Sequence, residues 1–166
     1  MVPLGIPRNV AGIRRRWDTA AQAAARPHVT VVYPFLPCPY LGPSVRATLA
    51  DLAGSVAPSE VVFARMRRWP RLVWIEPEPA AWFARLTSAL VERWPDHPPY
   101  GGLHEALIPH LTVVESDDDS VPFDEVEDIT ARALPFTTRA ERMELWCQDP
   151  AGRWRLRWRM PFGVRP

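Results

Sequence analysis

The pentapeptide His28-Val29-Thr30-Val31-Val32 returns 82 residues later as His110-Leu111-Thr112-Val113-Val114. No other feature of the chain limits its fold so tightly. Each copy is a short apolar run carrying one imidazole and one hydroxyl at i and i+2, positions that share a face of a strand. The segments downstream of each copy repeat as well: a stretch of helical period, then two strands. The second strand pairs share texture, Ala64-Arg65-Met66-Arg67-Arg68-Trp69 against Ala140-Glu141-Arg142-Met143-Glu144-Leu145-Trp146. An internal duplication about a pseudo-twofold axis is the economical reading. It brings the two His-x-Thr strands to face each other.

The rest of the chain divides around this repeat. Residues 10–25 have helical spacing up to the break at Pro27. His28 to Phe35 is a buried strand stopped by Pro34 and Pro37. Residues 43–55 form a helix with Pro43 or Ser44 at its start and Gly54 near its end. Residues 60–68 and 71–76 are strands joined at Trp69-Pro70, and 79–94 is helical through Trp82, Phe83, Leu86, Leu90 and Val91. A Pro- and Gly-rich loop runs from Pro95 to Leu107. After the second motif, an acidic turn at Asp117-Asp118-Asp119 leads to a helix at about 122–133. Residues 136–147 and 153–161 are the last strands, with Asp149-Pro150-Ala151-Gly152 between them.

Composition bounds the function classes. The 166 residues, 47% apolar and 23% charged, suit one globular domain and exclude disorder across the whole chain. With a net charge of +1, any polyanionic ligand must be met by local arginines; the basic residues include no lysine. Cys38 and Cys147 stand far apart in sequence and make neither a disulfide framework nor a zinc site, which fits a reduced, cytoplasmic setting. The N-terminal order, apolar before the basic Arg14-Arg15-Arg16, is wrong for a signal peptide. No apolar run approaches membrane-spanning length.

Two imidazoles and two hydroxyls in one cleft form a site with definite chemistry. An imidazole titrates near neutrality, so His28 and His110 can serve as an acid–base pair, although which is acid and which base stays open. Thr30 and Thr112 offer stiff neutral donors for non-bridging phosphate oxygens. In-line displacement at phosphorus needs these parts. Other candidates have simpler readings. His97 and His104 are loop histidines that could touch a ligand but read more simply as exposed. Arg153, Arg155, Arg157 and Arg159 alternate with Trp154, Leu156, Trp158 and Met160; this suggests nucleic-acid binding, yet a half-solvated strand gives the same pattern. Asp117-Asp118-Asp119 lacks ligand spacing, and Arg14-Arg15-Arg16 reads as a solvated helix face.

The paired motifs, with Tyr33-Pro34-Phe35 after the first and Pro109 before the second, resemble the 2H phosphoesterases, the 2′-5′ RNA ligase-like or LigT-like superfamily. The resemblance covers nearly the whole chain. It implies an α+β fold of two pseudo-symmetric lobes within a single domain, residues 1–166, with antiparallel sheets around a central cleft and helices outside. It also implies metal- and cofactor-free action on 2′,3′-cyclic or 2′-5′ phosphodiesters of nucleotides or RNA ends, ligation being the reverse reaction. His28 and His110 take the catalytic positions, and Thr30 and Thr112 the substrate-binding ones. Tyr33 matches an aromatic position of many relatives and would be a platform for a base. Glu115 stands where many relatives have arginine, and by strand parity both Tyr33 and Glu115 face away from the motif residues unless the strands bend. The expectation is a monomer with no membrane contact, acting on a nucleotide or RNA terminus. The alternatives are a nucleotide- or RNA-binding module without turnover, or the same histidine pair serving a non-nucleotide substrate.

Overall fold

The computed structural model describes residues 1–103 and 107–164. Strands β1 (Val2–Pro3), β2 (His28–Val29), β5 (Leu111–Glu115), β4 (Leu72–Glu78), β3 (Ser59–Trp69) and β6 (Phe136–Ala140) lie side by side in that order, each pair antiparallel. A separate hairpin is made by β7 (Arg142–Gln148) and β8 (Trp154–Pro161). Met1 joins the two pieces. Its backbone nitrogen donates to Glu144 O at 2.9 Å, and the Glu144 N–H donates back to Met1 O at 2.8 Å. The result is a nearly closed antiparallel sheet with helices outside, the α+β arrangement expected from the repeat.

Helices α1 (Arg8–Trp17) and α5 (Phe123–Ala133) pack against each other and cover β3, β4 and β5 between them, while α3 (Pro43–Ser55) packs on β8. Leu90 of α4 (Ala80–Arg93) meets Leu49 of α3, Met143 and Met160 around a small apolar cavity. Val2, Val29, Leu111 and Ile75 are register partners across four adjacent strands, and all four are fully buried. Burying a side chain of this size is worth about 1.5–3 kcal/mol. This apolar row fixes which face of the central strands is left for polar groups. Among the described residues, no helix is long and apolar enough to cross a membrane.

Three segments depart from the sequence expectation. The helix of residues 10–25 is two helices, because Asp18 takes an extended conformation and its carboxylate caps α2 (Thr19–Gln22) by accepting the Ala21 N–H at 2.7 Å. The strand of residues 28–35 stops at Val29; Val31 then turns into the core and Tyr33 accepts the Tyr100 N–H through its carbonyl. The strand of residues 136–147 is two strands in different sheets. β6 pairs with β3, and at Glu141 the chain turns out to pair β7 with β8. Alternating polarity marks a strand but not its partner, so the corner at Glu141 has no signature in the sequence.

One buried ion pair ties the halves together. Arg14 is 3% exposed, contrary to the solvated face read for Arg14-Arg15-Arg16, although Arg15 and Arg16 are exposed. Its guanidinium meets the Asp18 carboxylate at 3.1 Å and donates to Thr112 O at 3.2 Å and Ala25 O at 3.0 Å. Asp18 in turn accepts the Glu115 N–H at 3.0 Å. The pair therefore satisfies the backbone of β5 and of the segment leading into β2. Arg14→Met is expected to destabilise the protein by about 3–5 kcal/mol, the cost of orphaning a buried charge. The double variant Arg14→Met/Asp18→Leu should not recover, because backbone groups of residues 21, 25, 112 and 115 still lose partners. Urea denaturation of the three proteins checks this; a double variant as stable as the parent would show the pair to be dispensable.

Candidate functional site

Strands β2 and β5 are neighbours, with Val29 opposite Leu111. One residue along, the register sets His28 opposite Thr112, while Thr30 lies just beyond the end of β2 and His110 just before the start of β5. Directly opposite Cβ atoms lie about 4.5–5.5 Å apart and diagonal positions about 7–8 Å. His28 therefore has Thr112 opposite it in the register, and its Nε2 meets the Thr30 hydroxyl of its own motif. Behind the four polar groups lie the buried Val29 and Leu111.

Both imidazoles are held in the same way. His28 Nδ1 lies 2.6 Å from Arg26 O, and His110 Nδ1 lies 2.8 Å from Ile108 O. A carbonyl oxygen can only accept, so Nδ1 carries the hydrogen in each ring and Nε2 is left with a free lone pair when the ring is neutral. Thr30 Oγ1 lies 3.1 Å from His28 Nε2 and so donates its hydroxyl hydrogen to it. Burial of His28 lowers its pKa to about 3; the Arg26 carbonyl opposes the shift, and the N-terminal amine, Arg14 and His110 reinforce it. At neutral pH His28 is a neutral imidazole.

The neighbouring strand contributes residues that the sequence motifs did not single out. Trp74 of β4 is the register partner of Thr112, and Arg67 of β3 is the partner of Trp74. The Trp74 ring is buried 5.5 Å from the His110 ring, and Trp69 lies 5.0 Å from Trp74 and 5.8 Å edge-on to His110. Trp69 is 41% exposed, so a large apolar face stands open beside His110. Arg65 and Arg67 follow along the strand, both bound to Glu76 at 2.6 and 2.8 Å. A tryptophan in a strand next to a motif strand is visible in sequence only once the strand order is known.

The remaining candidates fall as follows. Tyr33 sits in the bend after β2, its ring against those of Tyr100 at 6.3 Å and Trp154 at 6.1 Å. The bend removes the strand parity on which its orientation was judged. Glu115 is exposed at the far end of β5, and its charge helps hold the Tyr100 phenol above its usual pKa, an effect second to burial. His97 lies in the turn after α4, its backbone N–H on Trp94 O, and His104 lies outside the described residues. Asp119 is paired with Arg71 at 2.6 Å, so the acidic turn is an ion-paired corner. Arg155, Arg157 and Arg159 are solvated, as a half-exposed strand requires; Arg155 pairs with Asp149 and Arg159 with Glu144. Among the described residues, no group of three or more His, Cys, Asp or Glu side chains is placed to hold a metal ion.

A nearly closed antiparallel sheet, with two His-x-Thr motifs paired across its centre, defines a LigT-like fold. The model of the 2′-5′ RNA ligase superfamily matches residues 2–151, and the chain belongs to that superfamily. Two solved structures share the architecture. The protein TT0787 of Thermus thermophilus aligns over 84% of this chain and 80% of its own, with 18% identity and a TM-score of 0.56. Escherichia coli LigT, determined in complex with NADP+, aligns over 98% of each chain, with 13% identity and a TM-score of 0.52. No curated protein matches the sequence.

The lowered pKa of His28 has a thermodynamic consequence. Its folded value of about 3 lies below the ordinary 6.5, so the folded state binds fewer protons than the unfolded state between these limits. The stability linked to neutral His28 is complete above pH 6.5 and is lost as pH falls towards 3. His28→Gln should therefore lose less stability than the parent between pH 7 and pH 4.5. Parallel urea titrations at the two pH values measure the difference; equal losses would place the His28 pKa near its ordinary value.

Proposed function

We propose that the chain is a metal-independent phosphodiesterase acting on 2′,3′-cyclic or 2′-5′ phosphodiesters of nucleotides or RNA ends, with ligation as the reverse reaction. The observation that carries this reading is the matched anchoring of His28 and His110. Each is held by a carbonyl two residues back, with Nε2 as the nitrogen left for chemistry, at the meeting of two neighbouring strands. His28, neutral at working pH, takes the proton from the attacking water. His110 delivers a proton to the departing ribose oxygen. Thr30 and Thr112 hold the non-bridging oxygens. In the free protein the Thr30 hydroxyl occupies His28 Nε2; turning that one hydrogen to the phosphate frees the lone pair for water.

Trp69 supports a substrate that carries a base, since an exposed indole beside His110 offers a stacking face, and the exposed Tyr33 ring after the first motif is a second candidate. Base–aromatic stacking is worth about 1–3 kcal/mol. Trp69→Ala should therefore raise KM by about 5- to 150-fold with little change in kcat, measured with a 2′,3′-cyclic nucleotide.

The decisive experiment is a panel of 2′,3′-cyclic nucleotides and 2′-5′-linked dinucleotides assayed in EDTA. Turnover should persist without metal. His28→Ala and His110→Ala should each lower kcat by about 10²–10⁴-fold, and the double variant by far less than the product of the two. The pH profile should be bell-shaped, its limbs belonging to the coupled pair, with the acidic limb below the ordinary imidazole range. Protein that binds a cyclic nucleotide tightly yet leaves it intact over hours would instead be a binding module. Turnover confined to phosphodiesters lacking a nucleoside would redirect the same pair to another substrate.

A further inference from the structure

An open cleft of about 380 Å³ lies where β1 meets the corner between β6 and β7. Pro3 and Gly5 line it on one side, Arg26 on a second, and Arg139, Glu141 and Arg142 on a third. Two contacts attach this cleft to the candidate site. Pro3 is the register partner of His28, and the Arg26 carbonyl is the acceptor that holds the His28 ring at 2.6 Å. β1 and β5 lie on opposite sides of β2, so the cleft and the Trp69 face flank the motif strands from opposite directions.

Three guanidinium groups and one carboxylate line the cleft, in a chain whose net charge is only +1. Arginines elsewhere on the sheet are neutralised: Arg65 and Arg67 share Glu76, and Arg68 meets Asp124 and Glu127. Those of the cleft keep most of their charge for a ligand. Among the described residues no carboxylate pairs with Arg26, whose guanidinium lies 5.9 Å from the centre of the Trp146 ring. Arg139 has only Glu141 at 3.9 Å, both side chains being 62% exposed, and a pair of that kind contributes little. Arg142 donates through Nε to Glu144 Oε1 at 2.8 Å, and its two terminal nitrogens have no partner among the described residues. Burial raises the Glu144 pKa, but hydrogen bonds from Arg142 and Trp146 outweigh it, so a charged carboxylate fixes the Arg142 fork.

We propose that this cleft is a subsite for a second phosphate, the 5′-phosphate of the reacting nucleotide. The proposal rests on the phosphodiesterase reading and narrows it to 5′-phosphorylated ends over bare cyclic nucleosides. A 2′,3′-cyclic phosphate closes the end of a strand, so every further phosphate lies on its 5′ side. With the base on Trp69 beside His110, the 5′ side is left to face the arginines beside His28. A guanidinium fork matches phosphate oxygens two at a time, which a single surface cation does not.

The test compares kcat/KM for adenosine 2′,3′-cyclic phosphate with and without a 5′-phosphate. The parent should favour the 5′-phosphorylated substrate by about tenfold or more, as hydrogen bonds between charged groups allow. The preference should shrink as salt rises from about 50 to 200 mM. Arg139→Gln and Arg26→Gln should each bring the ratio towards one, and a ratio does not depend on how much of a variant is folded. Arg157→Gln, which removes an exposed charge of β8 outside the cleft, should leave the ratio as in the parent. Calorimetry with adenosine 3′-monophosphate and adenosine 3′,5′-bisphosphate separates the subsite from the chemistry. Tighter binding of the bisphosphate by the parent, lost in Arg139→Gln, supports the subsite even where no cyclic substrate turns over; in that case only the catalytic reading fails. Equal affinity of the parent for the two nucleotides overturns the subsite. So does a preference that Arg139→Gln and Arg26→Gln leave intact, or that Arg157→Gln reduces as much as they do.

Discussion

Much of the molecule's geometry depends on the Arg14–Asp18 pair. A charge pair in the interior is costly to desolvate, and it persists here because two guanidinium N–H groups and both carboxylate oxygens have backbone partners. Those partners lie on the second motif strand, on the approach to the first, and at the start of α2. Neither motif strand is long enough to hold its own register: β2 has two residues and β5 five. What hydrogen-bond ladders of that length leave loose, a guanidinium reaching both segments makes definite. The positions of His28 and His110 relative to each other are in this sense set from behind the sheet.

How much of this was legible in the sequence depended on range. The two His-x-Thr motifs, the helices at 43–55 and 79–94, and the alternation of β8 follow from local period and turn chemistry. The sequence also contained Arg14, but in a run of three arginines the solvated reading is natural, and only the helix phase against β5 separates Arg14 from Arg15 and Arg16. Trp69 and Trp74 read as ordinary strand aromatics until β4 is known to lie beside β5. The break between β6 and β7 escaped because pairing partners, not local preference, decide it.

The two motifs are similar in residue and unequal in setting. The second lies within a regular strand between β2 and β4. The first leaves its strand after one turn of the pleat and runs into the bend that carries Tyr33. The bend frees Thr30 from ladder geometry and lets its hydroxyl close on His28. Two like motifs thus stand in two different local environments, and imidazoles with the same sequence neighbours differ in what surrounds them.

The pairing of Val29 with Leu111 also limits how the chain can change. Side chains alternate strictly across the pleat, so one residue inserted into or deleted from either motif would turn a histidine and a threonine into the apolar row and bring two valines or leucines out. Half the site would vanish at once, with no intermediate arrangement available. Length can vary with less consequence in the turn at residues 149–152, which joins β7 to β8 and takes no part in the pairing of β2 with β5. The site is therefore digital with respect to insertions: between the histidine and threonine of each motif the spacing is fixed, and the tolerance for indels lies in the loops.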